Sequence, residues 1–322
     1  MKTDLYSPEP ARQTSGISRN QAIMFLAPLI LGPMLLVVLA FTVLTSHWYA
    51  QSGSDEYLIG LGYGSTLNGA NCQIVVYGDS AAMVGVNPRL LQTRTGLSAC
   101  NIADVQGMTL VNGTMVLDQY LSHNTPPRYL LILYSPESFN PDAKAEQHGK
   151  SEGITYRFRQ TSLIDRLFYA FRNAPDVFAW ISSGLDGAMR HVFGRHFSRD
   201  RMAVRESNLG QFTLEDPPLK ECTQTKHEVP PNRAWVNSFC TRYSRSGTQV
   251  IVDATPLPDC DPNIKFYQEH MQGVIDGPII QLPVHEFFYG GRHVMPVGSV
   301  ALTNFVADQI LSREPFSRKG AQ

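Results

Sequence analysis

The chain has 322 residues, 43% of them hydrophobic and 17% charged, with a formal net charge of −1. That is enough for one α/β domain with additions. The balanced charge excludes the basic footprint of a nucleic-acid-binding protein, so no nucleic-acid partner is expected.

Ala22 to Ser46 form the first element, a nearly unbroken apolar run without a charge. A helix crosses a bilayer in roughly 20 residues, and membrane helices tolerate internal residues such as Pro28 and Gly32-Pro33. His47-Trp48-Tyr49 follow at the interfacial position that aromatic rings favour. Lys2, Arg12 and Arg19 precede the run, and no Lys or Arg follows until Arg89. The positive-inside rule then predicts a cytoplasmic tail over 1–20, a span through the lipid bilayer over 21–47 and a main domain outside the cytoplasm. A cleaved signal peptide fits less well, because the run exceeds the usual apolar region and no small-x-small site follows. Residues 48–71, punctuated by Gly, Ser and Asn, read as a linker.

From residue 72 the pattern alternates. Strands are predicted at Ile74–Tyr77, Ala99–Ile102, Tyr129–Tyr134, Gln249–Asp253 and Ile279–Leu282. Helices are predicted at Pro88–Thr95, Met108–Ser122, Arg233–Arg242, Asn263–Gln272 and about Val297–Leu311. This alternation predicts an α/β fold with a doubly wound, parallel, five-stranded sheet over 72–322. Residues 140–230 interrupt it and are too long for a bare loop. Leu163, Leu167, Phe168, Phe171, Phe178, Trp180 and Ile181 suggest a helical hairpin broken at Asn173-Ala174-Pro175, lying over the carboxyl edge of the sheet. Its arginines, Arg157, Arg159, Arg166, Arg172, Arg190, Arg195, Arg199, Arg201 and Arg205, read as a solvated helix face. An anionic-ligand site and a surface resting on a membrane or partner are the other readings.

Cys72, Cys100, Cys222, Cys240 and Cys260 lie outside the predicted cytoplasmic part, where disulfides form. Cys72 with Cys100, and Cys222 with Cys260, are the candidate pairs; Cys240 is expected to be a buried free thiol. No Cys/His spacing suits zinc, and neither a metal nor a cofactor is expected.

The chemistry concentrates in Gln73-Ile74-Val75-Val76-Tyr77-Gly78-Asp79-Ser80. A buried strand ends in a tight turn and hands over to a helix, at the sheet edge where ligands of α/β folds bind. A serine there can act as a nucleophile, with helix N–H groups nearby for an oxyanion. Its proton needs a base, usually histidine. His293 sits between the last strand and the last helix, in a loop leaving the same edge; His285 is its rival. Asp79 reads as a turn-stabilising residue.

Gly78-Asp79-Ser80 after the first strand, with a histidine before the last helix, resembles the SGNH (GDSL-like) hydrolase superfamily. Gly85-Val86-Asn87-Pro88-Arg89-Leu90-Leu91, Cys100-Asn101-Ile102-Ala103 with Gly107, and Tyr129–Phe139 extend the resemblance to its membrane-anchored branch. That branch includes the alginate acetylation proteins and the D-alanine-transfer protein of teichoic acid. The resemblance implies a flavodoxin-like strand order. It makes Ser80 the nucleophile, His293 the base, and the N–H groups of Ser80 and Gly107 the oxyanion donors. Two positions depart from the pattern. Tyr134-Ser135-Pro136-Glu137 stands where the family carries an Asn donor, leaving Ser135 or Ser138 as substitutes. Gly290 stands where it carries the acid, leaving Glu286, Asp259 or Asp79 to orient the imidazole.

The implied protein is an inner-membrane, periplasmic serine esterase or O-acyltransferase of bacteria. Its substrate is a secreted polysaccharide such as cellulose, and its partners are an acylated polysaccharide or acyl-donor protein and a polysaccharide synthase or export complex. The alternative is a catalytically degenerate scaffold or glycan-binding component of such a complex.

Overall fold

The computed structural model describes residues 18–44, 62–111, 113–143, 153–160, 162–182, 200–222, 225–226, 228–244 and 247–313. The chain divides into two compact units, Met1–Leu44 and Thr45–Gln322.

In the first unit, Arg19–Leu44 is one helix of 26 residues, α1. Ile23, Phe25, Leu29, Leu35 and Leu39 are among its exposed apolar side chains. Among the described residues no helix is long and apolar enough to cross a membrane. Several side chains inside α1 lie outside that set, so the span expected over 21–47 remains a proposal. Most of the tail, and the linker as far as residue 61, lie outside the described residues.

The second unit is built on a four-stranded parallel sheet of β1 (Ile74–Gly78), β2 (Ala99–Asn101), β3 (Tyr129–Tyr134) and β4 (Gln249–Ala254), in the order β2-β1-β3-β4. Ile74 pairs with Ala99 and with Tyr129, and Tyr129 pairs with Gln249, so the strands start in register. β1 and β3 are buried at every residue, which explains why they read as continuous apolar runs rather than alternating ones.

Helices cover both faces. Val75, Tyr77, Leu130, Ile132 and Tyr134 pack against α4 (Met115–His123), α9 (Arg233–Ser244) and α10 (Ile264–His270). Ile74, Val76, Leu131 and Leu133 pack against α2 (Ser80–Gly85), α3 (Pro88–Thr95) and α11 (Pro296–Arg313). Asn87 caps α3 by accepting from Leu90 N–H at 3.1 Å, and its own N–H donates to Thr303 Oγ1 at 3.0 Å, which locks α3 to α11.

The predicted fifth strand is not part of this sheet. Gln281–Leu282 (β6) pairs instead with Leu257–Pro258 (β5) in a separate two-stranded parallel sheet. The cause lies at the outer edge of β4, where the backbone groups of Val252 are already taken. Val252 N–H donates to Asp276 Oδ2 at 2.8 Å, and Asp276 N–H donates back to Val252 O at 2.7 Å. The helix predicted over Met108–Ser122 is also two pieces, a π turn at Gly107–Val111 and then α4.

The insertion is helical where it is described: α5 (Ile154–Gln160), α6 (Leu163–Arg172), α7 (174–182) and α8 (Asp200–Ser207). Phe158 and Trp180 pack edge to face. Ile164, Leu167, Phe168 and Phe171 form an exposed stripe on α6, with Phe178 exposed beyond it, so that face is apolar rather than solvated charge. Arg205 also departs from the solvated reading. It is 1% exposed and donates to Ala103 O at 2.9 Å and Gly210 O at 3.2 Å, fastening α8 to the end of β2.

Disulfides join Cys72 to Cys100 and Cys222 to Cys260. Cys240 is a free thiol, half-buried rather than buried.

Asp253, at the end of β4, accepts from Gly277 N–H at 2.7 Å, while its Oδ2 is buried without a hydrogen bond. Burial is the main cause that pushes its carboxyl up to about 7, aided by Asp276. The folded state therefore holds this proton more tightly than the unfolded chain. The group's contribution is favourable below its ordinary range near 4 and is lost as pH rises through about 7. Asp253→Asn is expected to gain on the order of 1–3 kcal/mol at pH 8 and little at pH 4, read by urea unfolding at both pH values. Equal effects at the two would refute it.

Candidate active site

β1 ends at Gly78 against β3. A Cβ on Gly78 would lie 1.6 Å from the Leu133 carbonyl oxygen, so only glycine fits. Asp79 follows as the N-cap of α2, its Oδ1 accepting from Ala81 N–H at 3.1 Å. Its Oδ2 accepts from Ser135 N–H at 2.9 Å and from the Ser135 hydroxyl. The carboxylate thus ties the end of β1 to the end of β3, and Ser80 is presented at the first turn of α2. Asn101 fixes the other end of that helix. Its buried amide donates to Ala82 O at 2.9 Å and Val86 O at 3.1 Å.

The second segment arrives from the loop before α11. Gly290 and Gly291 adopt φ of 95° and 69°, a turn that favours glycine at both positions. Arg292 then pairs with buried Glu137 through Nε and Oε1 at 3.0 Å, fastening this loop to the turn after β3. His293 comes next, and its Nε2 lies 2.9 Å from Ser80 Oγ. The two residues are 213 positions apart in sequence.

Burial is the first cause holding the His293 imidazolium below its ordinary range. Asp79 and, less strongly, Asp216 pull it up, and Arg292 pushes it down. The net direction favours a neutral ring near pH 7, the form that accepts a serine proton.

The other residues singled out from sequence fall differently. His285 is exposed in a short turn, and Ser80 pairs with His293 instead. Ser135 has its N–H and its hydroxyl committed to Asp79, so it is not a ready oxyanion donor. Ser138 is buried and accepts from Gln106 Nε2 at 2.8 Å. Gly107 is buried at the start of the π turn. Of the acids, Asp79 is occupied by capping and by Ser135. Among the described residues no hydrogen bond joins Glu286 or Asp259 to His293; Asp259 is exposed, and its N–H donates to Leu282 O at 2.8 Å. Sequence reasoning missed the Glu137–Arg292 pair, which has no local motif because it depends on two loops meeting in space.

A cavity of about 380 Å³ adjoins the His293 loop, lined by Leu219, Glu221, Pro258, Tyr289, Gly291 and Arg292 among others. Tyr289 is 75% exposed. Among the described residues no cluster of His, Cys, Asp and Glu is arranged to hold a metal ion.

Comparison of the chain with protein-family models, with curated proteins and with solved structures finds no match. The site's geometry is a serine at a helix start, a neutral-leaning imidazole 2.9 Å from it, and a cavity against the neighbouring Tyr289–Arg292 turn.

Proposed function

We propose that this protein is a serine acyl-transfer enzyme, an SGNH-like esterase or O-acyltransferase acting on a secreted polysaccharide such as cellulose. The observation that carries the reading is the 2.9 Å contact between His293 Nε2 and Ser80 Oγ, made by two segments at the carboxyl edge of a parallel sheet. In this mechanism His293 takes the hydroxyl proton as Ser80 attacks the ester carbonyl. The tetrahedral oxyanion is held by the Ser80 N–H at the start of α2, and collapse expels the alcohol, which takes the proton from His293. Water or a sugar hydroxyl then attacks the acyl-serine by the same steps in reverse.

The cavity beside the loop supports a glycan substrate. Its volume suits a small ligand, the exposed Tyr289 ring offers a stacking face, and Glu221 and Arg292 offer hydrogen bonds to hydroxyls. The uncharged run over 22–46 supports anchoring in a bacterial inner membrane with this domain in the periplasm. The two disulfides accord with that compartment. The exposed apolar stripe on α6 supports a contact with the bilayer or with a synthase or export complex.

The degenerate, glycan-binding scaffold is the second reading. It is favoured by one specific observation, that the Ser135 donors are bound to Asp79 instead of being free for an oxyanion.

An alkyl fluorophosphonate separates the two. The expected result is one adduct on the intact protein, mapped by peptide mass spectrometry to Ser80. A folded protein that takes up no adduct would overturn the enzyme reading and leave the scaffold.

A further inference from the structure

The walls of the cavity beside the His293 loop come from three segments. Leu219 and Glu221 belong to the stretch after the helical insertion, Pro258 and Asp261 to the end of β5 and the turn beyond it, and Tyr289 and Arg292 to the turn that delivers His293. These segments are fastened to one another. The Cys222–Cys260 disulfide joins the first to the second. Leu219 N–H donates to Phe287 O at 2.7 Å and Tyr289 N–H to Pro217 O at 2.8 Å, which joins the first to the third. The cavity is thus built by the fold itself, and its volume of about 380 Å³ falls at the low end of small-molecule sites, roughly 300–1,000 Å³.

Its charges are unequal. Glu221 and Asp261 bring two carboxylates to the lining. Asp261 is held in place, its Oδ1 accepting from Asn263 N–H and from the Asn263 amide, both at 2.8 Å. Among the described residues Arg292 is the one cation of the lining, and its charge is already matched by buried Glu137, Nε to Oε1 at 3.0 Å. The balance at the wall is negative. The rest of the lining is apolar, with Leu219, Pro258 and the disulfide beside the exposed Tyr289 ring. We infer that this cavity takes uncharged sugar rings and rejects acidic ones. A neutral pyranose lays its C–H face on Tyr289 and donates its hydroxyls to the carboxylates. A uronic-acid unit brings a carboxylate against like charge, with no uncommitted cation in the lining to offset it. The inference rests on the reading of this cavity as the glycan site, and it narrows the polymer handled beside Ser80 to a neutral one.

The test compares two probes that differ only in charge, cellotetraose and the same sugar oxidised to carboxylates at C6. Binding to the full-length protein is read by saturation-transfer NMR titration, which needs no turnover. Cellotetraose is expected to bind at least about 10-fold more tightly than its oxidised form, with the gap narrowing in about 0.5 M salt. Tyr289→Ala is expected to weaken cellotetraose about 3- to 10-fold; Tyr289 is 75% exposed, so the substitution leaves the core untouched. Glu221→Gln, which keeps hydrogen-bonding capacity, is expected to strengthen the oxidised sugar about 2- to 5-fold. Equal or tighter binding of the oxidised sugar would overturn the charge selection. Binding of neither sugar, or unchanged affinity in Tyr289→Ala, would overturn the site. Fluorophosphonate labelling of Ser80 is scored separately. Selective binding without an adduct would leave the sugar site and remove the enzyme, whereas an adduct without binding would do the reverse.

Discussion

His293→Ala is expected to slow acylation of Ser80 by about 10²–10⁴-fold, and Ser80→Ala to abolish it, with both variants as stable as the parent to within about 1 kcal/mol. The size follows from what the ring does. A serine hydroxyl is a poor nucleophile until its proton is taken, and Nε2 at 2.9 Å is placed to take it. Binding of the acyl group and oxyanion stabilisation survive the loss of the base, which is why a residue of rate is expected in His293→Ala and none in Ser80→Ala. The pH dependence has a defined sign. Burial depresses the His293 imidazolium more than Asp79 and Asp216 restore it, so the base is neutral from slightly acidic pH upward. Labelling of the parent should therefore rise through a midpoint below the ordinary histidine value and level off near neutrality. In His293→Ala the step should vanish. The measurement is the second-order rate of adduct formation between pH 4.5 and 8.5. A His293→Ala variant that reacts as fast as the parent would remove the mechanism, because nothing else is hydrogen-bonded to Ser80 Oγ among the described residues.

Much of this arrangement was legible in the sequence, and the reasons are local. β1 and β3 are buried on both faces, so their apolar runs are unbroken, and Gly-Asp-Ser after β1 marks the strand-to-helix turn. The helix at Pro88–Thr95 has an Asn cap and a proline at its first position, signals that survive any tertiary context. What failed was decided by contacts at long range. Ile279–Leu282 reads as a strand in isolation, yet the edge it would need on β4 is filled by Asp276. The break inside 108–122 has its cause in Gly113, which adopts a φ of 78° where a continuous helix cannot. Arg205 was hidden by its neighbours, since a run of arginines in a polar insertion reads as solvated until one of them is found buried.

That buried arginine is the basis of the second large effect. Arg205→Met is expected to cost about 3–5 kcal/mol at pH 8. The guanidinium, 1% exposed, pairs with Asp104 at 3.4 Å, donates to the carbonyls of Ala103 and Gly210, and lies over the Tyr63 ring at 5.0 Å. Methionine fills the space but returns none of the donors. Asp104 is fully buried, and among the described residues its other hydrogen bonds come from backbone N–H groups, including Val105 at 2.9 Å. Burial already raises the Asp104 carboxyl above its ordinary range, and Arg205 is the main influence pulling it back down. Without Arg205 that carboxyl rises further. The folded variant then binds a proton more tightly than its unfolded chain, so its stability must fall as pH rises through the new value and recover as pH drops. Urea unfolding at pH 5 and pH 8 should show the larger deficit at pH 8. Adding Asp104→Asn should recover a substantial part of it by removing the stranded charge, a non-additivity that neither single variant shows. The site should feel the loss as well, since Asp104 N–H donates to Gly78 O at 3.1 Å, two residues before the nucleophile. A loss below about 1 kcal/mol at pH 8 would mean that the pair contributes no more than an exposed one, and that some other contact fastens the insertion to the sheet edge.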